Sequence, residues 1–347
     1  MASSNPTRFL ASGGDDRALA LKMFSDTVLE SFRLSTKFYD DMGRIAQFKA
    51  IDAGKSWQYP IIDADPSPEY HIPGNELLGQ TQAFGETIIT IDDILVAHRE
   101  VPLDQRLLSH FDVMVPYARA IGRSLAIDID NKMVRTSLLA ARTGASGTFH
   151  NGGNVVANVN GTGVFGAGTR YTKDSTGAAN ARNDIRQLAR LMDEDNVPET
   201  GRILYVVPEF REVLSYDSTL FSRDYSPDAN AMHNRNIALV EGFEIVVSNA
   251  IPSTNQTAGN PPSNATKYNV NCAYAGSSSA TGGRPVAVAL CGASENSGAI
   301  GMVQAQGFAS VVMDDERRNT TFMKTQTFFG LGVIRPWCAG EIRVAAA

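Results

Sequence analysis

From Phe111 onward, apolar residues recur three or four positions apart, through Met114, Ala118, Ile121, Leu125, Ile129 and Met133. Arg119, Arg123 and Asp130 fall on the opposite face. That period is the helical one, so Asp112–Arg142 reads as one amphipathic helix. Asp112 is placed to be its N-cap, Pro116 sits in the first turn where a missing N–H costs least, and Gly144 lies just past the last basic residues. About thirty residues at roughly 1.5 Å rise make a rod on the order of 45 Å long, well beyond the usual globular helix. Taken alone, the stretch suits the core helix of an α+β enzyme.

With 347 residues the chain is a little longer than two average domains, and one large or two interleaved domains also fit. It is 43% hydrophobic and 20% charged, an ordinary balance for a protein with a buried core. A net charge of −6 and the lack of any Lys/Arg run argue against a dedicated nucleic-acid binder. Cys272, Cys291 and Cys338 lie far apart with no CxxC, which suggests neither a zinc site nor a disulfide framework and fits a reduced compartment. Met1–Leu10 lacks the apolar core of a signal peptide, and no apolar run is long enough for a membrane span.

In chain order, a first helix is expected from Asp16, with Leu21, Phe24, Val28 and Phe32 on one stripe. Such a helix can dock on its own domain or on a neighbour, and periodicity does not say which. Trp57–Ile62 and Glu86–Asp92 read as strands, separated by a dense set of turn formers that includes Pro66, Pro68, Pro73, Gly74 and Gly79. A further β-type run follows near Leu95–Val101. Two strands joined by so long a loop make a ribbon that is marginal on its own and must lie against its own domain or another molecule. Thr143–Gly177 is dominated by Gly, Asn, Ser and Thr and reads as a flexible surface loop. A second helix is expected over Asn180–Asp195, then buried-type strands at Ile203–Val207, Phe243–Val247 and Val286–Cys291. Within the polar segment 253–283, the alternation of Tyr268, Val270, Cys272 and Tyr274 predicts one half-exposed strand. Alternation around Phe322–Phe328 predicts a long exposed strand near the C-terminus.

Sites for chemistry are scarce. Gly161-Thr-Gly163-Val-Phe-Gly166 matches GxGxxG literally but neither follows a predicted strand nor opens a helix, so it is not read as a dinucleotide site. The five histidines have no metal-ligand spacing. Asp92 and Asp93, as neighbours on a strand, would point to opposite faces and could not share a substrate. No catalytic, cofactor or metal site is expected. A full-sized core without a recognisable site shifts weight from enzyme toward structural protein.

The residues also carry a likeness. Ala18-Leu-Ala-Leu-Lys-Met-Phe24, Gly54-Lys55-Ser56 with Gln58 and Pro60, Tyr70, Pro73-Gly74, Leu77, Glu86, Ile89-Thr-Ile-Asp92, His110-Phe-Asp-Val113, Gly122, Ser124-Leu-Ala126 and Asp130 resemble the major capsid proteins of T7-like short-tailed bacteriophages, within the HK97-like capsid fold. More general features of that fold are Asn196-Val-Pro198, Gly242-Phe-Glu244, Ile251-Pro252 and Arg335-Pro336. The 144–178 and 253–283 segments match no pattern of the family.

The resemblance implies an α+β, HK97-like fold divided into an N-terminal arm (1–53), an extended E-loop hairpin (54–100), a P-domain with a spine helix (101–145), a Gly-rich flexible loop (146–179), an A-domain with a central sheet (180–316), and a C-terminal strand returning to the P-domain (317–347). It implies a structural role: self-assembly, in hexamers and pentamers, into an icosahedral shell around double-stranded DNA, with a scaffolding protein, a portal at one vertex and no membrane. No residue matches the lysine–asparagine crosslink of the fold's namesake, so assembly is expected to be non-covalent and to occur in the bacterial cytoplasm. Trp57, Tyr59, Ile61 and Ile89 are the expected inter-subunit anchors, because aromatic residues are enriched among interface hot spots. Gly54, Gly74 and Gly85 are candidate hinges. Arg119 and Arg123 are candidates for facing DNA, with pairing to Asp130 as the competing reading. An encapsulin-like shell and an α+β enzyme are the alternatives.

Overall fold

A computed structural model describes residues 24, 26–32, 36–62, 68–71, 73–74, 76, 79, 84–104, 114–145, 151–160, 163–217, 239–274, 282–292 and 298–346. The long helix, α1, runs over Met114–Arg142, 29 residues. Asp112, its expected N-cap, lies outside the described residues. Ala118, Ile121, Leu125, Ile129 and Met133 are all buried, as their spacing requires. Residues 26–32 are also helical, and Phe24, Val28 and Phe32 join the same core, so the first helix docks on its own chain. Gly122 makes that contact close, since a Cβ there would lie 2.4 Å from the Val28 carbonyl oxygen. Ser31 Oγ seals it by donating to the Arg119 carbonyl at 2.7 Å.

The strands form two sheets and a ribbon. The first sheet has β1 (Ala46–Ala50), β10 (Ile300–Asp315), β11 (Thr320–Val333) and β4 (Leu95–Pro102), in that order, and is antiparallel except for β1 on β10. In the second, the order is β5 (Asn154–Val159), β12 (Ala339–Ala345), β9 (Arg284–Leu290), β6 (Ile203–Val206), β8 (Phe243–Val247) and β7 (Leu239–Val240). Helices α2 (Ser175–Glu194) and α3 (Pro208–Leu214) accompany this second sheet, α2 packing on β5 and β12. Among the described residues β2 (Ser56–Ile62) pairs only with β3 (Phe84–Thr90). Leu95–Pro102 therefore belongs to a sheet and not to the ribbon.

α1 ties the sheets together. Near its start, the Arg99 guanidinium from β4 lies 4.6 Å from the Tyr117 ring centre. At its end, Arg142 forms a two-pronged pair with Glu341 on β12, Nε to Oε2 at 2.7 Å and Nη2 to Oε1 at 2.5 Å.

Five expectations need correction. The supposed flexible loop 146–179 contains β5, which pairs in parallel with β12, and its end is helical. α2 starts at Ser175, not Asn180, because Asp174 caps it by accepting from the Gly177 N–H at 2.8 Å. Residues 268–274 alternate as predicted, with Tyr268, Val270 and Cys272 buried, yet form no strand; one isolated bridge, Gln256 to Val270, replaces a ladder. β11 is no exposed strand, since it lies between β10 and β4 and buries every second residue. The C-terminal segment 317–347 holds two strands and not one: β11 lies beside β4 in the four-stranded sheet, and β12 goes to the six-stranded sheet beside β9.

Asp130 departs most from its expected place. It is 4% exposed and accepts the backbone N–H groups of Lys37 at 2.7 Å and Tyr39 at 3.2 Å, so it fastens the segment after the first helix. Phe38, between them, is buried and stacks on Tyr205. Burial pushes the Asp130 carboxyl up to about 6 against the pull of those N–H donors. A native carboxyl held above its unfolded value adds stability below the unfolded pKa, and that stability is lost as pH rises through the folded value. Relative to Asp130→Asn, the wild-type unfolding free energy should therefore fall by about 2 kcal/mol between about pH 4 and about pH 6.5. Urea titrations across that range measure it, and a difference that stays constant with pH would refute the raised carboxyl.

Candidate assembly element: the ribbon and its root

In an antiparallel pair, residues directly opposite share a face. Trp57 lies opposite Ile89, and Tyr59 opposite Thr87. That face turns toward the body, where Trp57 and Tyr59 pack half-buried against Ile51, Ile89, Ile91, Val303 and Ile334. Lys49 Nζ sits 4.5 Å from the Trp57 ring centre. The other face carries Gln58, Pro60, Glu86 and Ile88, all exposed, with Ile88 at 50%. The Ile61 side chain lies outside the described ones.

Ile89 is 2% exposed and is spent inside its own chain, leaving no surface for a neighbour. It enters a notch made by glycine on two strands. Gly301 and Gly332 face each other across β10 and β11, and a Cβ on either would come within 2.7 Å of an Ile89 side-chain carbon. Gly330 lets the chain cross β11, because a Cβ there would lie 2.2 Å from the Thr90 carbonyl oxygen and 2.8 Å from Ile91 Cα. Glycine inside a strand marks such close backbone approach. Gly54 and Gly74 have φ of +104° and +99°, a backbone that favours glycine, whereas Gly85 lies within β3.

Beyond the notch the chain is bolted down by polar groups. The Asp92 N–H donates to the Phe329 carbonyl at 3.0 Å. Its carboxylate accepts from Lys267 Nζ at 2.5 Å and, in a short bond, from the Tyr268 hydroxyl. Lys267 also donates to the Thr90 carbonyl at 2.9 Å, and the Tyr268 oxygen accepts from the Leu331 N–H at 3.3 Å. Asp93 accepts from the Ser263 N–H at 2.7 Å. Burial and the Asp92 charge hold the Tyr268 phenol well above its ordinary range, so it stays a donor. The loop bearing these groups is fastened to α1, where Arg135 donates to the Ala258 carbonyl at 2.6 Å and to Gln256 at 2.7 Å, and Arg142 to the Asn271 carbonyl at 2.6 Å.

Asp92 and Asp93 are thus clamps. Lys267, Tyr268 and Gly301 escape a reading of the sequence because they converge only in three dimensions, while Gly330 and Gly332, two apart in a strand, were a readable sign. Arg119 and Arg123 are exposed on α1, while Asp130, two to three turns further along the same side, is buried under the 37–39 segment, where its carboxylate accepts the Lys37 and Tyr39 N–H groups. Among the described residues no three His, Cys, Asp or Glu side chains are placed to hold a metal ion, and no helix is long and apolar enough to cross a membrane. Cys272 and Cys338 are buried, with thiols pushed up to about 12 by desolvation.

The family model described as Gp10A-like, major capsid protein, matches residues 58–343. The chain belongs to that family. The capsid protein is 26% identical over 261 residues to the major capsid protein of Escherichia phage T7, covering 70% of this chain and 69% of the relative. Its fold is similar to that in the capsid structure of cyanophage P-SCSP1u, with TM-score 0.74, 24% identity, and 90% and 89% of the two chains covered. It is also similar to the bacteriophage PhiM1 mature capsid, with TM-score 0.70, 16% identity, and 89% and 87% covered. The fold is HK97-like, as the sequence resemblance implied. As a phage major capsid protein, the chain is a structural subunit of the virion shell and associates with itself.

The notch yields a controlled test. Gly330→Ala should destabilise the capsid protein by about 1–3 kcal/mol, because backbone atoms cannot withdraw from the added methyl. Gly307→Ala, on the paired strand with nothing within 4 Å of its new Cβ, should change stability far less. Urea unfolding of both variants decides; equal effects would mean that the ribbon root does not press on β11.

Proposed function

We propose that the ribbon is the extended E-loop of the shell and that each copy lays its outward face on a neighbour, closing non-covalent hexamers and pentamers. The observation that carries this reading is the ribbon's one-sided burial: the inner face is satisfied by the chain's own core, and the outer face with Ile88 is left bare. A free two-stranded ribbon is marginal in water, so a neighbour that covers it contributes order as well as contact. Head-to-tail contacts of this kind close into rings. Many such contacts per subunit multiply modest interfaces.

Within this reading, the first helix and residues up to 53 form the arm, α1 with the four-stranded sheet forms the P-domain, and the six-stranded sheet forms the core of the A-domain. Trp57 and Tyr59 support the ribbon from beneath, and the contact to the neighbour passes to the Ile88 side. The work is geometric and not catalytic. Assembly takes place in the host cytoplasm with a scaffolding protein and a portal at one vertex.

Ile88→Asp should leave the monomer folded and abolish uniform particles in negative-stain electron microscopy, whereas Ile89→Ala should cost about 2–5 kcal/mol of monomer stability. Normal shells from Ile88→Asp would end the ribbon reading.

The packaged double-stranded DNA meets Arg119 and Arg123, supported by their exposure on α1 and by the engagement of Asp130 with the Lys37 and Tyr39 N–H groups. Such contacts are sequence-independent and weaken with salt. Reversing both charges should lower genome packaging at low salt, measured as DNA per particle; an unchanged DNA content would remove the two arginines from this role.

A further inference from the structure

We propose that Lys267 and Tyr268 are positioning residues for the ribbon, setting through Asp92 the angle at which it leaves the body and so the curvature of the shell. The inference rests on the ribbon reading given above. Two restraints of different kinds meet at the root. Ile89 in its glycine notch fixes where the ribbon sits, but apolar contact is non-directional and leaves tilt weakly opposed. Hydrogen bonds are directional. The Asp92 carboxylate receives one from Lys267 and one from Tyr268, and Tyr268 in turn takes the Leu331 N–H of β11.

These two residues belong to neither the ribbon nor the four-stranded sheet. They sit on the 251–274 loop, which Arg135 and Arg142 fasten to α1. The ribbon angle is thereby referenced to the helix that spans both sheets. Leverage makes this matter: β2 has seven residues, and at roughly 3.3 Å each its far end stands about 20 Å from the root, so a tilt of about 10° moves it by about 3–4 Å. A shift of that size equals a whole side-chain contact distance of about 4 Å.

The test uses the full chain, assembled with its own phage partners, in the variants Lys267→Met, Tyr268→Phe and Lys267→Arg. Backbone hydrogen exchange is read at residues 84–93 and, as an internal control, in β9, and particle diameters are read by electron microscopy. Lys267→Met and Tyr268→Phe should each speed exchange at 84–93 about tenfold or more with β9 unchanged, and should broaden the diameters or give open sheets. Lys267→Arg, which keeps the charge and a donor, should restore both. Should Lys267→Met prove insoluble, Tyr268→Phe decides, because it removes a single hydroxyl. Unchanged exchange at 84–93, exchange rising equally in β9, or faster local exchange with shells of normal diameter would each overturn the positioning role. Failure of the ribbon reading itself would show separately, as normal shells from Ile88→Asp.

Discussion

One helix crosses both sheets, and the buried pair at its far end holds the two halves as one body. Glu341 is 0% exposed in the six-stranded sheet, and both of its oxygens accept from Arg142. Removing one partner of such a pair leaves a buried charge uncompensated, typically at about 3–5 kcal/mol, so the helix end has little freedom to drift. The same guanidinium reaches the Asn271 carbonyl. Fixing Arg142 therefore fixes the C-terminal half of α1, β12 and the loop that later grips Asp92. Nearer the start of the helix Gly122, and near its middle Asp130, bring in the first helix and the segment after it.

The ribbon contrasts with everything fastened to α1. Its strands pair with each other and with no sheet, and only one face is covered by the chain. Order at the root comes from close approach: three glycines on β10 and β11 remove the side chains that would hold Ile89 and Thr90 away. The inner face thus packs on the body through Trp57, Tyr59 and Ile89, and the outer face with Ile88 stays exposed. The notch anchors Ile89 deeply, while Trp57 and Tyr59 rest half-buried beside it.

The sequence made much of this legible, and the misses have physical causes. α1 and the buried runs at Ile203–Val206 and within Arg284–Leu290 stood out because burial on one stripe or on both faces leaves a plain pattern. β5 was hidden because its Asn- and Gly-rich surroundings imitate a loop, although the partner that orders it, β12, lies far along the chain. β10 was hidden for another reason: register shifts near Gln306 break its alternation. The 268–274 alternation was real but came from a loop pressed on the core, where burying every second side chain needs no ladder. Helical period placed Asp130 outside with Arg119 and Arg123, and only the fold supplies the 37–39 segment that covers it and the two N–H groups that make a buried carboxylate tolerable there. The ribbon was readable as an element, while Lys267 and Tyr268, some 175 residues from Asp92, were not readable as its fastening.

Four of the polar contacts in this chain stand where elements meet. Asp92 joins ribbon to loop, Asp130 joins the segment after the first helix to α1, the Tyr205 hydroxyl joins the second sheet to Asp41 ahead of β1, and Arg142 joins helix to sheet. Such contacts are poor sources of stability, since desolvation takes back most of the attraction. Apolar residues at the same places would hold the elements together as well, yet would leave the angles between them soft, because burial has no preferred direction. Directional bonds at the joints set angles. For a subunit whose product is a closed surface, an error in one joint is repeated in every copy, so rigidity at the junctions is worth more than extra stability in the cores.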